Sequence, residues 1–373
     1  MAVEAQRIAA TQRHLEQNGL DALIAFNNGQ NLFLDSHAVF VFSGTRPLGE
    51  SAVIIERGGK STLIATPAWD KDRLTRLSQT DATIACDDIV TVLADALSRL
   101  HLDAKKVITT GLNTMPQGFA KRIPAMLGGE PSEEPRFAGN LARIRNADEL
   151  AAAEKATWIG ERGYERMLET ARPGLREFEL VAELNCYMKE LGAEDNFLLV
   201  SASQHNLAVC AAGRRILDVG DIILSEITPC YHGQYAQLCR TTVIGEAPAL
   251  LKEKYAILQE AMRRGQEAAL PGMRVGDVTA KIDDCFREAG YGDYCKPPYM
   301  RVRGHGLGIT SDRPGDITSD SDVVLESGMI FVMHPNQYLP ETGYLMCGEP
   351  VAITPTGARA LSSRTATLDS VAG

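Results

Sequence analysis

This chain of 373 residues carries eight cysteines but no CxxC pair. They stand apart at Cys86, Cys186, Cys210, Cys230, Cys239, Cys285, Cys295 and Cys347. Scattered cysteines in a chain this long fit reduced thiols and a cytoplasmic location, not a disulfide framework. Basic charge is also short. The formal net charge is −10. A general polyanion binder carries a basic face, so a nucleic-acid partner is not expected. No apolar run approaches the ~18 residues of a membrane-spanning helix, so no membrane partner is expected. The opening Met1-Ala2-Val3-Glu4-Ala5-Gln6 lacks the basic stretch and apolar run of a secretory signal. What remains is an ordinary globular composition, 23% charged, with enough residues for two domains.

The first 142 residues read as an α/β domain. Residues 4–18 have the spacing of an amphipathic helix, with Ile8, Ala9 and Leu15 on one side. Ala22–Phe26 reads as a buried strand, and Val107–Thr110 as another. Ser51–Ile55 and Ser61–Ala65 flank Arg57-Gly58-Gly59-Lys60 and predict a β-hairpin. Val39–Arg46 reads as a loop, and His14, His37 and His101 read as surface residues. A second domain, 143–373, opens on Arg143–Leu150, where Asn146 or Asp148 is placed to cap a helix over about 148–171. From there the chain echoes itself. Ala171-Arg172-Pro173-Gly174-Leu175-Arg176 returns as Ala269-Leu270-Pro271-Gly272-Met273-Arg274, 98 residues later. Ala182 and Gly192 return at the same lag as Ala280 and Gly290. Two similar α+β halves create a pseudo-twofold cleft, a natural place for a site.

The second half also carries an ordered set of motifs. Gly220-Asp221 precedes a strand that contains Glu226. Gln237 follows eleven residues later, within Gln237-Leu238-Cys239-Arg240-Thr241. Then come Gly304-His305-Gly306, Leu325–Phe331, and Glu349-Pro350-Val351. Over about residues 145–360 this order resembles the pita-bread family of methionine aminopeptidase, prolidase, aminopeptidase P, creatinase and ectoine hydrolase. Residues 4–140 resemble the amino-terminal domain of the prolidase and creatinase branch. The resemblance implies an α+β pita-bread catalytic domain of duplicated halves, behind a creatinase-type α/β domain.

By resemblance, metallopeptidase members hold two divalent ions with two aspartates, a histidine and two glutamates. Carboxylates suit such ions, and two ions can clamp an attacking hydroxide. Carried over by position, those ligands become Glu226, Gln237, His305, His334 and Gly348, with Glu349 beside the last. One ligand type of five survives, so a dinuclear centre is not expected. Glu226–Tyr231 is similar to the matching stretch of ectoine hydrolase. The implied function is hydrolysis of a non-peptide C–N bond in a small amino-acid-like, guanidino or cyclic amidine compound, with no metal cofactor. Glu226 and Glu349 would hold its cationic part, and His305 and His334 would move protons. Arg303, Gln237, Arg301 and Arg313 are further candidates for binding substrate. Creatinase has a histidine where Val209 stands here; Cys210 beside it is either a nucleophile or an inert buried thiol. The resemblance also implies a homodimer in which Phe42 and Arg46 reach the neighbouring subunit's site. One alternative is an Xaa-Pro dipeptidase-like metallohydrolase or lyase, with one Zn, Mn or Fe on His305, His334 and Glu226. Another is a binding protein without catalysis.

Overall fold

The computed structural model describes residues 2–30, 33–34, 37–311 and 313–373. Two units make it up, Met1–Ala142 and Arg143–Gly373. In the first, α1 (Val3–Gln17) turns Ile8, Thr11 and Leu15 inward, the spacing of one helix face. The following elements are β1 (Ala22–Asn27), α2 (Ala38–Ser43), β2 (Ser51–Glu56), β3 (Ser61–Ala65), α3 (Lys71–Leu77), β4 (Ala82–Ala85), α4 (Ile89–Leu100) and β5 (Val107–Thr110). The unit closes with α5 (Gln117–Ala120), α6 (Ile123–Leu127), β6 (Ser132–Glu133) and α7 (Phe137–Leu141). One mixed sheet runs β4-β3-β2-β1-β5-β6. Its hairpin is β2 on β3, with Ile55 opposite Ser61.

The stretch expected to be a loop at Val39–Arg46 is helical as far as Ser43. Its start is fixed by His37, whose Nδ1 accepts from Phe40 N at 3.1 Å. Gly44, at φ 67°, ends it in the left-handed conformation. The alternating apolar side chains have core on nearly every side, which outweighs their weak helix preference. His37 is therefore buried, contrary to the surface position expected for it.

The second unit repeats one pattern. Its first half is α8 (Ala147–Thr170), α9 (Glu177–Glu190), β7 (Asp195–Ser203), β8 (Ile222–Tyr231), β9 (Gln234–Tyr235) and β10 (Leu238–Ile244). Its second is α10 (Ala249–Ala268), α11 (Val275–Glu288), β11 (Gly304–Gly306), β12 (Ile330–Met333), β13 (Gln337–Leu339), β14 (Gly343–Leu345), β15 (Glu349–Thr354), β16 (Gly357–Ala360) and β17 (Leu368–Val371). Asn146 caps α8: its side chain accepts from Glu149 N at 2.8 Å, and Glu149 reaches back to Asn146 N. In each half a Pro-Gly pair separates two helices. Gly174 and Gly272 take φ of 88° and 87°, which a Cβ would oppose.

Each helix pair packs on its own sheet. α8 and α9 bring Ile159, Leu180 and Leu184 onto Ile223 and Ile227 of the sheet β17-β10-β8-β7. α10 and α11 bring Leu258, Ile282 and Phe286 onto Phe331 and Val351 of β11-β12-β15-β16. The sheets meet where Cys239 and Gly348 exchange backbone hydrogen bonds of 3.2 and 3.0 Å. That junction positions the site.

Candidate active site

Glu226 lies on β8, opposite Cys239 of β10 and Leu199 of β7. Its side chain accepts a short hydrogen bond from Gln237 Nε2. Among the described residues no cation offsets the loss of water. Burial alone pushes the Glu226 carboxyl up to about 7. Across the junction, β11 carries His305 opposite Val332, and His334 follows the end of β12. The two imidazoles meet edge to face, with centroids 5.5 Å apart. Burial pushes His305 down, and burial plus the His305 charge pushes His334 down to about 3. Both rings are therefore neutral near pH 7. His305 Nδ1 lies 2.9 Å from Gly306 O. A carbonyl only accepts, so Nδ1 carries the proton and Nε2 is the acceptor. The Nδ1 of His334 is buried with no hydrogen-bond partner among the described residues.

Glu226 with Gln237, and His305 with His334, are thus brought to one junction. Other expected site residues are engaged elsewhere. Glu349 faces Arg240 at 3.1 Å, both side chains nearly out of contact with water. Its second oxygen accepts from Ser362 Oγ. Arg240 was a possible partner for Glu226, but it is committed to Glu349 and to the carbonyls of Gly348, Cys239 and Arg364. Arg303 is fully buried and donates to Asp283 at 2.7 Å, Asn336 O at 3.0 Å and Gln337 at 2.9 Å. It is a cross-brace and has no face left for a substrate carboxylate. Arg301 is exposed, and so is Cys210, not a buried thiol. Phe42 is fully buried in the first unit, so its ring is not available to a neighbouring subunit. Arg46, half-buried in the same unit, packs its guanidinium over the Phe40 ring.

Sequence reasoning missed Tyr344 and Asn336. Tyr344, on β14, is close enough to Cys239 and Glu226 for their charges to act on its phenol, which burial pushes well above the usual range. Asn336 anchors the turn after His334 by accepting from Cys347 N at 2.9 Å. Their only sequence signal was nearness to His334 and Gly348.

Two ions need a carboxylate-rich set. Here position 237 is an amide that turns its donor towards Glu226. Position 348 is a glycine, and a Cβ there would lie 2.7 Å from Cys239 Cβ and 2.8 Å from His334 Cβ. Neighbouring side chains have taken that room. Among the described residues, no three or more His, Cys, Asp or Glu side chains are placed to hold an ion. As they stand, these residues do not fit a two-metal centre.

Comparison with known proteins adds the family context. The model of metallopeptidase family M24 matches residues 151–355. The Xaa-Pro dipeptidase of Pyrococcus furiosus is 27% identical over 333 residues, covering 87% of this chain and 90% of that protein. The prolidase structure from Pyrococcus horikoshii OT3 superposes with a TM-score of 0.85 at 21% identity, over 97% of this chain and 99% of that one. The Xaa-Pro dipeptidase structure from Bacillus anthracis gives 0.86 at 21%, over 99% and 100%. The fold is therefore the pita-bread fold behind an amino-terminal domain. The metallopeptidase description corrects the expectation of a site without a cofactor: a divalent ion is what this family implies. The departure lies in the ligand positions, not in the fold.

Proposed function

The chain belongs to metallopeptidase family M24, and from that premise we propose that this C–N hydrolase cleaves a short peptide, with an Xaa-Pro dipeptide as first substrate. The observation that carries this is the match to the P. furiosus Xaa-Pro dipeptidase over nine-tenths of that protein's length. The same finding overturns the non-peptide C–N reading drawn from creatinase and ectoine hydrolase. The M24 match covers only part of 143–373, the unit we take as the catalytic domain, with 1–142 as the amino-terminal domain.

The geometry supports proton traffic in such a reaction. His305 Nε2 is the acceptor of a neutral ring, and Glu226 gains or loses a proton around neutral pH. Such groups suit taking a proton from an attacking water and passing one to the departing nitrogen. His334 packs against the His305 ring, and burial keeps both rings neutral. Glu349 and Arg303 hold the walls. We further propose a cytoplasmic homodimer. The eight free cysteines support a reducing compartment. No described helix is long and apolar enough to cross a membrane.

The test is release of proline from Ala-Pro by the full chain, after chelation and again after reloading with Mn, Zn or Fe. Proline release in any one of these states supports the reading. No release in any state, from protein that stays folded, overturns it.

A further inference from the structure

The six-stranded sheet of the first unit ends on two unlike strands. β6 is two residues long and carries Glu133. β4 is four, Ala82-Thr83-Ile84-Ala85, without a charge or a proline. It pairs in parallel with β3, and no described strand pairs its outer side. Cys86 N donates inward, to Ala65 O at 2.9 Å. Along a parallel strand the backbone groups of alternate residues face the same neighbour, so those of Ala82 and Ile84 point inward too. The N–H and C=O groups of Thr83 and Ala85 are left facing outward. An open, uncharged edge of this kind is a template for another strand. Apolar side chains border it. Ile84 is 38% exposed, Leu77 at the end of α3 44% and Trp69 75%. Both α3 and the turn that carries Trp69 pack against β4. The two ends of the strand differ in charge. At its start Asp81 turns its carboxylate back to Ser61 N and Oγ, both at 2.8 Å, beside the Lys60 charge. Past its end Asp87 and Asp88 are exposed.

We propose that the β4 edge is an interaction surface for the β4 edge of a second copy, paired antiparallel about a twofold axis at Ile84. Identical edges related by such an axis run antiparallel. Thr83 of each copy then stands opposite Ala85 of the other, and their outward groups exchange backbone hydrogen bonds. The two Ile84 side chains meet as a directly opposed pair, which takes both from water. The same direction sets the Asp87–Asp88 end of one copy against the Lys60 end of the other. A parallel pairing would set like ends together. The proposal rests on the homodimer reading and gives that reading a surface.

The experiment is sedimentation velocity of the full chain over a range of concentrations, with native, Thr83→Pro and Ile84→Lys proteins of matched melting temperature. A proline is tolerated on an edge strand where the N–H faces outward, and here it removes a donor from the pair. A lysine is a charge with which open edges are guarded. Each variant is expected to raise the dissociation constant of the native dimer at least ~10-fold, because the change is repeated in both copies. A dimer that either variant leaves unchanged overturns the edge and leaves the homodimer reading standing. A native chain that stays monomeric at every concentration overturns both. Where a variant does not fold, hydrogen exchange on the native chain decides. The Thr83 and Ala85 amides should exchange slowly in the dimer and fast in the diluted monomer. Fast exchange in the dimer overturns the proposal. So does slow exchange in the monomer, which would mean that the chain covers its own edge.

Discussion

At the scale of single residues, two glutamates have opposite tasks. Glu226 is half-buried, meets a neutral amide and titrates near 7, so its carboxylate costs the fold stability as pH rises past the usual glutamate range, while its chemical use is large. Glu349 is locked against Arg240 in a dry interior. Removing one member of such a pair strands the other charge, at about 3–5 kcal/mol. The contrast is measurable. Glu226→Gln should lower kcat/KM on the cleaved peptide at least ~100-fold, the scale of a lost proton-transfer group, with a urea midpoint at neutral pH no lower than that of the native chain. Glu349→Gln should show the reverse order, a large loss of stability first. A Glu226→Gln enzyme with full activity would remove that residue from the chemistry. The sequence made Glu226, Gln237, His305 and His334 legible because each stands at a fixed offset inside a motif. Arg240–Glu349 was not legible, since its partners lie 109 positions apart and meet only when two sheets join. Arg303 was misread for the same reason: an arginine beside a Gly-His-Gly motif looks free until Asp283, from α11, is seen beneath it.

Among the elements, α2 shows where local reading stops. Its alternating apolar residues carry no helical period, and its cap is a histidine, not one of the usual capping residues. What makes it a helix is packing, together with a neutral ring at its start. Burial and the charge of Arg46 push His37 down to about 3. In the unfolded chain a histidine titrates near 6.5. Between those values the unfolded state binds a proton that the folded state refuses, so stability falls as pH drops from about 6.5 towards 3. His334 acts with the same sign. Each such histidine contributes up to about 1.4 kcal/mol per pH unit in that window. His37→Asn keeps a capping acceptor and removes the titration. Its urea midpoint should therefore fall less steeply than that of the native chain between pH 6.5 and 4. Parallel slopes would show that His37 does not titrate as argued. By contrast, the hairpin of β2 and β3, the capped start of α8 and the Pro-Gly breaks were all legible. Turn and cap chemistry is written in adjacent residues.

For the whole molecule, the duplicated halves set what the junction can hold. The 98-residue lag gave away the two halves; each packs its helices beneath its own sheet, and the core of the second half also takes in Ile222, Leu224, Cys239 and Val243 of the first. The halves touch at Cys239 and Gly348, so the room left there depends on both sheets at once. A glycine at 348 is what lets them close: a Cβ would press on the Cβ atoms of Cys239, on β10, and His334, just past the end of β12. The lost carboxylates are thus part of the packing of this protein. Putting them back should not rebuild a two-ion centre. In Gln237→Asp with Gly348→Glu, the added side chain at 348 overpacks the junction, at about 1–3 kcal/mol or more. Elemental mass spectrometry on native and double-variant chains, purified without chelator, should give no more than one tightly held Zn, Mn or Fe per chain in both, with a lowered melting temperature in the variant. Two ions per native chain would mean that the junction rearranges to gather donors the structure keeps apart. Two ions in the double variant, at undiminished stability, would mean that Gly348 is not a packing requirement and that two exchanged residues separate this chain from a dinuclear enzyme.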